Sequence, residues 1–380
     1  MKIPVICQLC DFGPEVPGSF VDSMLYLARH CRHQMDVETF FIFPERARKR
    51  NWLSRFEEQR FPYGFVPERR NVSFDVRKLL RDHNPLIFHT HFFHFDISAL
   101  LLKLLFYRHS KVVWHYHNPP GLTSRQRIKD GVKIRGLGCF VDKFIAVGDT
   151  VYAGLVNAGL SEHEMALIYN GIDVNRFLPD ISSRRNVRTA LGIPEGFTAF
   201  LLLGWDYHRK GVDIFIKAAE ETIRNEKNTA IFVIVGKEET RKEISAIVQK
   251  IPLLQAIRVI DPVEDFPLLL NGVDAFVSCS RSEGSPYAVL EAMAAKKGIL
   301  SSNIPIPVVS GPQGRAEGVL VYPIEDWMSL SELMKQYQEM RPIQRETLGS
   351  ANWEYVKKNY SVEIWGKKIG EIYCSLLNGI

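Results

Sequence analysis

The stretch SEGSPYAVLEAMAA, residues 282–295, places Glu283 and Glu291 on either side of a predicted helix start. The apolar run DAFVSCS before it is typical of a strand, so Glu283 falls on the loop that follows this strand. Ser285 suits a helix cap and Pro286 suits the first helical turn. Glu291 then lies in the second turn, within about 9 Å of the helix start at 1.5 Å per residue. Two carboxylates therefore flank one helix N-terminus.

The helix N-terminus between these acids can bind an anion. The backbone N–H groups of Tyr287, Ala288 and Val289 have no acceptor within the helix itself. A nucleoside diphosphate sugar would use all of these groups. Glu291 would accept hydrogen bonds from the ribose hydroxyls, the helix N-terminus would bind phosphate, and Glu283 would contact the sugar. The same spacing also occurs without a ligand, in which case Glu283 is a solvated loop acid and Glu291 an ordinary residue of the helix surface.

A second candidate lies in LLLGWDYHRKGVDIFIKAAEE, residues 201–221, which reads as strand, loop and helix. Arg209 and Lys210 come directly before Gly211, where the helix is predicted to begin. Two cations on a strand-to-helix turn can neutralise a diphosphate. They would also stabilise the negative charge that develops on a diphosphate leaving group. The alternative interpretation is a solvated basic turn.

A loop rich in glycine and proline follows the first predicted strand, within DFGPEVPGSFVDSMLYLA at residues 11–28. Gly18 would let the backbone approach a ligand closely. Ser19 and Asp22 have the spacing of a capping box. The loop does not match the G-x-G-x-x-G pattern of dinucleotide-binding loops, and the chain has no G-x-x-x-x-G-K-[ST] phosphate-binding loop.

Two predicted strands end in histidines. FHTHFFHF contains His89, His91 and His94, and WHYHNPP contains His115 and His117. Metal sites use H-x-H spacing, but no acid or cysteine ligand accompanies these pairs, so we expect no metal site and hydrogen-bonded histidines instead. His117 begins the loop after its strand and is the best placed of the five to touch a substrate.

The elements that must position these residues follow one pattern along the chain. Apolar β-like runs alternate with amphipathic helices, which predicts parallel sheets covered on both faces. The pattern restarts after NGIDVNRFLPDISSRR, so we predict an α/β fold of two Rossmann-like, doubly wound domains. We place the N-terminal domain at 1–178, the C-terminal domain at 179–355 after a linker near Leu178–Arg185, and a final helical segment at 356–380. Ligands of such folds bind off the carboxyl ends of the strands, so we expect a site in a cleft between the domains.

The composition of the 380 residues, 46% hydrophobic and 24% charged, is that of a globular protein. No apolar run approaches the roughly 18–20 residues needed to span a bilayer. The N-terminal MKIPVICQLCDF reads as a buried strand without the basic region and cleavage site of a signal peptide, so we expect a cytoplasmic location. Cys7 and Cys10 have the spacing of a redox pair, but they lie in the predicted strand, and we expect them to be reduced and buried.

The net charge of +5 is concentrated in the N-terminal half. Positions 45–82 hold eleven Lys or Arg residues and six acids, and SRQRIKDGVKIR at 124–135 is a second basic cluster. Basic residues near Trp52, Phe56 and Phe61 suit an anionic membrane surface or a polyanionic acceptor, although a solvated face would give the same pattern. The window matches no nucleic-acid-binding module, so we expect no nucleic-acid partner.

Taken together, these segments resemble the family 4 glycosyltransferases, which have the GT-B fold. The resemblance covers most of the chain and keeps the order of the motifs. FIAVGDTVYAGLVNAGLSEHEMALIYNGIDVNRFLP is similar to the segment that leads into N-G-[IV]-D-x-x-x-F-x-P. PLIFHTH resembles the family's H-x-H strand, and RKGVD resembles its basic turn. SRSEGSPYAVLEAMA resembles the signature S-x-x-E-G-x-x-x-x-x-x-E-A-M-A.

The resemblance implies a role for each acidic and basic candidate. Glu283 matches the residue that contacts the donor sugar, and Glu291 matches the one that binds the ribose. Arg209 and Lys210 match the diphosphate clamp. Trp205 stands where many members have Gly-Arg, and this chain instead has the Arg-Lys-Gly form of the clamp. The resemblance also implies anomeric retention, without a metal or other cofactor, and a C-terminal helix that crosses back to the N-terminal domain.

Three further residues take their expected roles from the resemblance. His117 matches the histidine near the donor sugar and the acceptor. Val263, in IDPVEDF, stands where the backbone of family members reads the nucleotide base. Gly18 matches the loop glycine near the phosphates, with Gly13 as the other candidate.

We therefore expect a retaining glycosyltransferase that moves a sugar from a nucleotide sugar, UDP-linked, to a cell-envelope, polysaccharide or lipid-linked glycan acceptor. Its expected location is cytoplasmic, with peripheral contact at the inner face of the cell membrane through the basic N-terminal domain. One alternative is a GT-B isomerase of the UDP-N-acetylglucosamine 2-epimerase type, which needs no acceptor. The spacing of the two glutamates and the N-G-I-D segment argue against that enzyme. The other is an inactive scaffold, against which the intact Glu283, Glu291 and Lys210 argue.

Overall fold

The computed structural model divides into two units, each built around one parallel β-sheet. Unit 1 comprises Met1–Gly171 and Val362–Ile380, and unit 2 comprises Ile172–Ser361. The boundaries proposed from the sequence, 178/179 and 355/356, lie a few residues away from these limits. The structure describes residues 2–121, 124–224, 229–248 and 256–378.

Seven parallel strands form the sheet of unit 1: β1 (Ile3–Cys10), β2 (Glu38–Pro44), β3 (Tyr63–Val66), β4 (His83–His91), β5 (Lys111–Tyr116), β6 (Lys143–Ala146) and β7 (Met165–Leu167). Their order is β3-β2-β1-β4-β5-β6-β7, so the order reverses between β1 and β4. The sequence analysis missed β3, because its four residues form too short an apolar run to stand out between polar segments. β1 is buried from Val5 to Cys10, as expected for a central strand covered on both faces.

Seven helices accompany this sheet: α1 (Gly18–Gln34), α2 (Ser54–Glu58), α3 (Ser73–Leu79), α4 (Asp96–Leu105), α5 (Ser124–Leu137), α6 (Asp149–Asn157) and, from the end of the chain, α15 (Val362–Leu377). α15 packs against α1. Two glycines of α15 make this contact close: a Cβ at Gly366 would lie 2.5 Å from the ring of Tyr26, and one at Gly370 would lie 2.7 Å from Nε2 of His30.

The start of α1 differs from the prediction. Ser19 was expected to cap this helix and to form a capping box with Asp22. The helix instead begins at Gly18, with Pro17 as the N-cap residue and no side-chain hydrogen bond to the helix start. Ser19 therefore lies within the first turn, and Asp22 pairs with Arg55.

Unit 2 contains six parallel strands: β8 (Thr198–Leu203), β9 (Ala230–Val235), β10 (Ile257–Ile260), β11 (Ala275–Ser278), β12 (Gly298–Ser302) and β13 (Val319–Tyr322). Their order is β10-β9-β8-β11-β12-β13, with the reversal between β8 and β11. Each was predicted from its apolar run. Every residue of β8 and β9 is buried, because helices cover both faces of the sheet.

The helices of unit 2 are α7 (Ile181–Ala190), α8 (Val212–Ile223), α9 (Glu238–Val248), α10 (Phe266–Gly272), α11 (Tyr287–Ala294), α12 (Pro307–Ser310), α13 (Trp327–Glu339) and α14 (Pro342–Asn359). α7 occupies much of the predicted linker. Its sequence is mostly polar, but Arg184 and Arg188 both pair with Asp274, which fastens this helix to the start of β11. α14 was missed because its few apolar residues form no continuous stripe.

The six cysteines are free. Cys7 and Cys10 are buried in β1, as the sequence analysis expected, and burial raises the pKa of both thiols. A raised pKa disfavours the thiolate that redox chemistry requires. Cys139 and Cys374 are exposed.

Within the described residues, no helix combines the length and the apolar character that a bilayer span requires.

Candidate active site

Several candidate residues lie at the carboxyl ends of strands at, or next to, the two points of reversal. Doubly wound folds bind ligands beyond the carboxyl ends of their strands at such points. In unit 2, Arg209 and Lys210 follow β8 and Glu283 follows β11. In unit 1, His91 ends β4, next to β1, and His117 follows β5. The topology of each unit therefore places chemically useful side chains where a ligand is expected.

Glu283 lies at the centre of a cluster of polar side chains in unit 2. Its Oε1 accepts hydrogen bonds from Nζ of Lys210 at 2.5 Å and from Oγ of Ser280 at 2.8 Å. Its Oε2 accepts one from Nη1 of Arg209 at 3.2 Å. The side chains of Glu283 and Lys210 are 9% and 11% exposed, whereas that of Arg209 is 37% exposed. The predicted loop acid is thus an almost buried carboxylate between two cations, and not a solvated one.

Gly211 brings the basic turn against the end of β11. This residue has a φ of +64° and directly precedes α8. A Cβ at this position would lie 2.1 Å from the carbonyl oxygen of Cys279, so only glycine fits. The close approach lets the backbone N–H of Arg281 donate to the carbonyl of Arg209 at 2.9 Å. The loop after β8 and the loop after β11 are therefore joined through their backbones.

Two residues that the sequence analysis did not single out hold this turn in place. Asp206 accepts hydrogen bonds from the backbone N and from Nε of Arg209, both at 3.1 Å. Burial acts to raise the pKa of Asp206, but the hydrogen bonds and the charge of Arg209 outweigh it and lower the pKa. Arg281 forms a two-pronged pair with Asp213 at 3.0 and 2.8 Å and a further pair with Glu325 at 2.8 Å. In the sequence, the one indication of a role for Asp206 and Arg281 is that they lie in the loops after β8 and β11, beside the predicted site residues.

α11 differs at its start from the prediction. Pro286 is the N-cap residue, without a side-chain cap hydrogen bond, and the helix begins at Tyr287. Ser285 was expected to be the cap and Pro286 to lie in the first turn, but the extended backbone of Pro286 (ψ 109°) moves the start by one residue. The predicted phosphate-binding groups of Tyr287, Ala288 and Val289 therefore form the first turn.

Glu291 and Val263 complete the predicted donor residues of unit 2. Glu291 lies in the second turn of α11 and is only 5% exposed, so it is not the surface residue that the alternative interpretation required. Val263 is half-buried in the segment between β10 and α10. The described contacts join Arg209 and Lys210 to Glu283. The donor-binding roles of Glu291 and Val263 stay predictions.

In unit 1 the predicted histidines lie together at one face of the sheet. His89, His91 and His115 are buried, and His117 is half-buried above them. Nδ1 of His91 lies 3.2 Å from Nε2 of His117. The ring of His117 is stacked on the rings of His115, at 4.5 Å, and of Phe92, at 4.5 Å. Burial lowers the pKa of His117 to about 3, so its ring is neutral at physiological pH.

His94 does not belong to this group. Its Nε2 lies 3.0 Å from the carbonyl oxygen of Arg69, at the surface.

Three of the buried histidines are possible metal ligands. His89, His91 and His115 have ring nitrogens within 4.8 Å of one another. Both nitrogens of His91 already have hydrogen-bond partners, however, and Nδ1 of His89 has one as well. The group also contains no carboxylate or thiolate to offset the charge of a buried dication. These residues fit a metal poorly. The expected hydrogen bonds are present at His91 and at Nδ1 of His89, whereas Nε2 of His89 and both ring nitrogens of His115 have no partner in the described chain, so that expectation is met only in part.

The two candidate loop glycines have different surroundings. Gly13 lies beneath the side chain of Arg46, whose Cγ would be 2.8 Å from an added Cβ, and its carbonyl accepts from Nε of Arg50. Gly18 begins α1 with a φ of +54°, a conformation that favours glycine. Gly13 is thus explained by packing, which leaves Gly18 as the better candidate for close approach to a ligand.

The basic window of unit 1 differs from the prediction in one respect. Trp52, Phe56 and Phe61 are 3%, 0% and 2% exposed, so they belong to the core and cannot contact a membrane. They cluster with the aromatic rings of β2. Several basic residues of the window are paired with acids, among them Arg46, Arg48, Arg50, Arg55 and Arg69. In the second basic cluster, the side chains at 124–129 lie outside the described residues.

Two family models match the chain. "Glycosyltransferase Family 4" matches residues 22–176, and "Glycosyl transferases group 1" matches residues 183–353. The two matches together span most of both units and include every candidate residue except the two loop glycines, Gly13 and Gly18.

Curated relatives match at lower coverage. A UDP-Gal:α-D-GlcNAc-diphosphoundecaprenol α-1,3-galactosyltransferase of Escherichia coli is 29% identical over 143 residues, which is 37% of this chain and 37% of the relative. The lipopolysaccharide core biosynthesis mannosyltransferase LpsB of Rhizobium meliloti is 24% identical over 219 residues, 56% of this chain and 61% of the relative. The chain thus spans between about two fifths and three fifths of the length of these relatives.

A solved structure matches over almost the whole chain. Anabaena HepE, crystallised with UDP and glucose, aligns with a TM-score of 0.81 at 15% identity and covers 98% of this chain and 100% of that chain. This likeness shows the fold. From the two family models and this fold, the chain belongs to family 4 of the glycosyltransferases and has the GT-B fold.

Proposed function

We propose that this protein is a retaining glycosyltransferase that transfers a sugar from a nucleotide-sugar donor to a glycan or lipid-linked acceptor. The observation that carries the proposal is the cluster of Arg209, Lys210 and Glu283 where the strand order of unit 2 reverses. Binding of a diphosphate requires cations, and binding of a sugar requires a well-positioned hydrogen-bond acceptor. Both are present in this cluster, and Gly211 and Arg281 hold its two loops together.

In the proposed reaction, the bond between C1 of the donor sugar and the diphosphate oxygen breaks. A new bond forms between C1 and an acceptor hydroxyl oxygen on the same face, and the hydroxyl proton passes to the leaving phosphate. Arg209 and Lys210 stabilise the charge of the leaving diphosphate, which is the largest electrostatic demand of the step. Because Arg209 and Lys210 supply the positive charge that offsets the leaving diphosphate, we propose that the transfer needs no metal ion or other cofactor.

The donor end is proposed from the residues of unit 2. The first turn of α11, at Tyr287, Ala288 and Val289, would bind phosphate, and Glu291 would bind the ribose. The backbone at Val263 would contact the base. UDP is the proposed nucleotide, and the match to a structure crystallised with UDP supports this choice. Gly18, which begins α1 with a positive φ, is proposed as a residue that lets its own loop approach a phosphate closely.

The acceptor end is proposed for unit 1, with His117 as the residue that touches a sugar hydroxyl. Relatives named for a diphosphoundecaprenol-linked sugar and for the lipopolysaccharide core support a lipid-linked or cell-envelope acceptor. Such an acceptor lies at a membrane, so we also propose that the protein works in the cytoplasm with peripheral contact at the inner face of the cell membrane.

The membrane-contacting surface is proposed at α3 and α4 in place of the buried aromatic residues. Phe74, Leu104 and Leu105 are 64%, 40% and 57% exposed. Phe74 lies against Phe106 at 5.3 Å, and the guanidinium of Arg77 lies over the same ring at 4.3 Å. Exposed apolar side chains beside a cation suit an anionic lipid surface.

The first experiment is a thermal-shift screen with UDP-, GDP-, ADP- and dTDP-sugars. A bound donor stabilises the native state, so the cognate nucleotide should raise Tm in proportion to the logarithm of its concentration. A UDP-sugar is expected to give the largest shift. No shift with any nucleotide sugar would remove the proposal and favour an inactive scaffold.

The second experiment follows the sugar. With a lipid-linked acceptor, the anomeric configuration of the product, measured by proton NMR, should equal that of the donor, and EDTA should leave the rate unchanged. An inverted product would contradict retention. Epimerised sugar formed from the donor alone would instead identify the isomerase of the UDP-N-acetylglucosamine 2-epimerase type.

A further inference from the structure

Five side chains inside unit 1 form one continuous hydrogen-bonded chain. From the half-buried His117, Nε2 lies 3.2 Å from Nδ1 of His91, whose Nε2 lies 2.9 Å from Oε1 of Gln8. The Nε2 amide of Gln8 donates to the hydroxyl of Tyr373 at 2.9 Å. That hydroxyl lies 2.5 Å from Nδ1 of His89. All members except His117 are fully buried. This series of hydrogen bonds therefore runs from the carboxyl end of β5, at His117, to Tyr373 of α15.

With its oxygen towards His91 and its nitrogen towards Tyr373, the amide of Gln8 sets the direction of the hydrogen bonds on either side of it. Its oxygen can only accept, so Nε2 of His91 must carry a proton and donate. His91 is neutral, because burial lowers its pKa, so its Nδ1 must be the acceptor. His117 must then donate to His91 from its own Nε2. At the other end, the hydroxyl of Tyr373 accepts from Gln8, which leaves its own proton to be donated to Nδ1 of His89, 2.5 Å away.

The position of this proton determines the state of Nδ1, the other ring nitrogen of His117. A neutral imidazole carries one proton, and that proton is on Nε2, so Nδ1 presents a lone pair. No side chain or backbone group in the described parts of the chain is bonded to this Nδ1. Stacking on His115 and on Phe92 holds the plane of the ring. Phe92 has a φ of +67°, an uncommon conformation for a non-glycine residue, and it places this ring on His117.

We propose that Gln8 and Tyr373 are positioning residues that hold His117 in the tautomer with the proton on Nε2, so that Nδ1 accepts a hydrogen bond from a sugar hydroxyl. The second half of this proposal rests on the proposed function. Tyr373 suits its part because burial raises the pKa of its hydroxyl, which therefore keeps the proton that it donates. The helix at the end of the chain would thus act on the reaction through three intervening side chains.

The test reads the tautomer directly. With ¹⁵N-labelled histidine, NMR distinguishes protonated from unprotonated ring nitrogens, and the spectrum of a His117→Gln variant identifies the signals of His117. In the native protein the proton is expected on Nε2. Tyr373→Phe and Gln8→Met remove the hydroxyl and the amide with little change of volume. Both should shift the His117 signals towards a mixture of tautomers.

Activity gives the second readout. In Tyr373→Phe the kcat for transfer should fall about tenfold or more, as for a weakened proton-accepting group, while the Kd for UDP stays unchanged. Tyr337→Phe is the matched control, since this buried tyrosine of unit 2 also loses a hydrogen bond, to the carbonyl of Asp274. It should lower Tm without moving the His117 signals or kcat.

Three results would overturn the proposal. These are a proton on Nδ1 of His117 in the native protein, unchanged His117 signals in both variants, or a changed tautomer with unchanged kcat. The NMR measurement needs no donor. If the native protein neither binds nucleotide sugars nor transfers them, the proposed function fails while the tautomer assignment is still decided by the spectra.

Discussion

At the scale of single residues, Lys210 combines low exposure with an ion pair to Glu283. A lysine that is 9% exposed has lost most of its hydration, so its charge interacts strongly with the carboxylate of Glu283 and would interact strongly with a bound anion. In the proposed reaction the diphosphate would compete with Glu283 for this ammonium group. Release of Glu283 would then free its carboxylate for the sugar.

Lys210→Met is expected to lower kcat/KM for transfer by about 10²–10³-fold, comparable to the removal of one stabilising donor in other enzymes. Glu283 keeps Arg209 and Ser280 as partners, so the variant should fold. Lys217→Met is the control, because Lys217 is an exposed residue of α8 in the same unit. Native rates for Lys210→Met would exclude its assignment as part of the diphosphate clamp.

The buried histidines predict how stability depends on pH. In the unfolded chain a histidine has a pKa of about 6.5, whereas burial lowers the pKa of His89, His91, His115 and His117 in the folded protein. Below pH 6.5 the unfolded chain therefore binds more protons than the folded one. Stability should fall as the pH falls through this range, by up to about 1.4 kcal/mol per pH unit for each histidine. For His117 the range extends down to about pH 3.

His115→Leu should make the free energy of unfolding less dependent on pH. His115 is the best choice because neither ring nitrogen has a hydrogen-bond partner in the described chain, so its removal breaks no bond. Between pH 6 and pH 5 the variant is expected to lose about 1 kcal/mol less stability than the native protein, as measured by urea unfolding. The exposed His109, replaced by Leu, provides the comparison. Equal losses in the native protein and His115→Leu would contradict a neutral, buried His115.

At the scale of elements, the site of unit 2 depends on how closely two strand-to-helix connections approach. Gly211 allows contact between the turn after β8 and the end of β11, and the pair of Arg281 with Asp213 links the second connection to α8. The positions of Arg209, Lys210 and Glu283 follow from this contact. The geometry is thus set by backbone packing and only then refined by side-chain hydrogen bonds.

Gly211→Ala should abolish transfer and lower stability by about 1–3 kcal/mol, because the new Cβ cannot share space with the carbonyl of Cys279. Gly196→Ala is a matched control. Gly196 also has a positive φ, of +83°, but an added Cβ would meet nothing within 4 Å. The control should therefore show the backbone strain alone and keep its activity. Thermal unfolding and transfer assays measure both effects, and equal activity of the two variants would refute the role of the close contact.

α15 is the second element with a role beyond packing. It belongs to unit 1 although it follows the whole of unit 2 in the sequence. Gly366 and Gly370 seat it on α1, and this seating brings Tyr373 to within hydrogen-bond distance of Gln8. A residue of α15 therefore supplies the hydrogen-bond acceptor for the buried side chain of Gln8 in β1.

At the scale of the whole molecule, the basic segment at positions 45–82 has fewer unpaired positive charges than its sequence suggests. Much of the basic window from 45 to 82 is paired with acids on the surface, and pairs of this kind contribute little to stability or to attraction at a distance. The aromatic residues of the window are in the core. The surface at α3 and α4 has both exposed apolar side chains and basic residues, and it is therefore the surface that we propose for membrane contact.

Phe74→Ser and Leu105→Ser should each weaken binding to vesicles rich in anionic lipid by about tenfold, since each removes an apolar side chain worth about 1.5–3 kcal/mol on full burial. Higher salt should weaken binding further. Cosedimentation measures both effects. Ile343→Ser serves as the comparison, because Ile343 is 60% exposed on α14 of unit 2. If all three variants bind like the native protein, the surface at α3 and α4 does not contact the membrane.

Local patterns in the sequence were sufficient to predict the fold and to select the candidate residues, whose roles stay predictions. Alternating apolar runs and amphipathic helices predicted two doubly wound sheets, because burial on both faces leaves a continuous apolar signal in each central strand. The motif around Glu283 and Glu291 and the turn at Lys210 identified the family, because their chemistry depends on residue types at fixed spacing. The short strand β3, the helices α7 and α14 and the helix caps carry weaker local signals, and they were among the elements missed or misplaced.

Only the tertiary structure decided which of these residues touch. The burial of Glu283 between Lys210 and Arg209, the core position of Trp52 and Phe56, and the bond between Gln8 and Tyr373 join positions up to 365 residues apart. Composition and spacing cannot supply such contacts, because they depend on how strands order themselves in a sheet and on how closely helices pack. The sequence by itself therefore determined the type of fold and the chemical groups available, whereas packing at long range determined the charge environment of these groups and their partners.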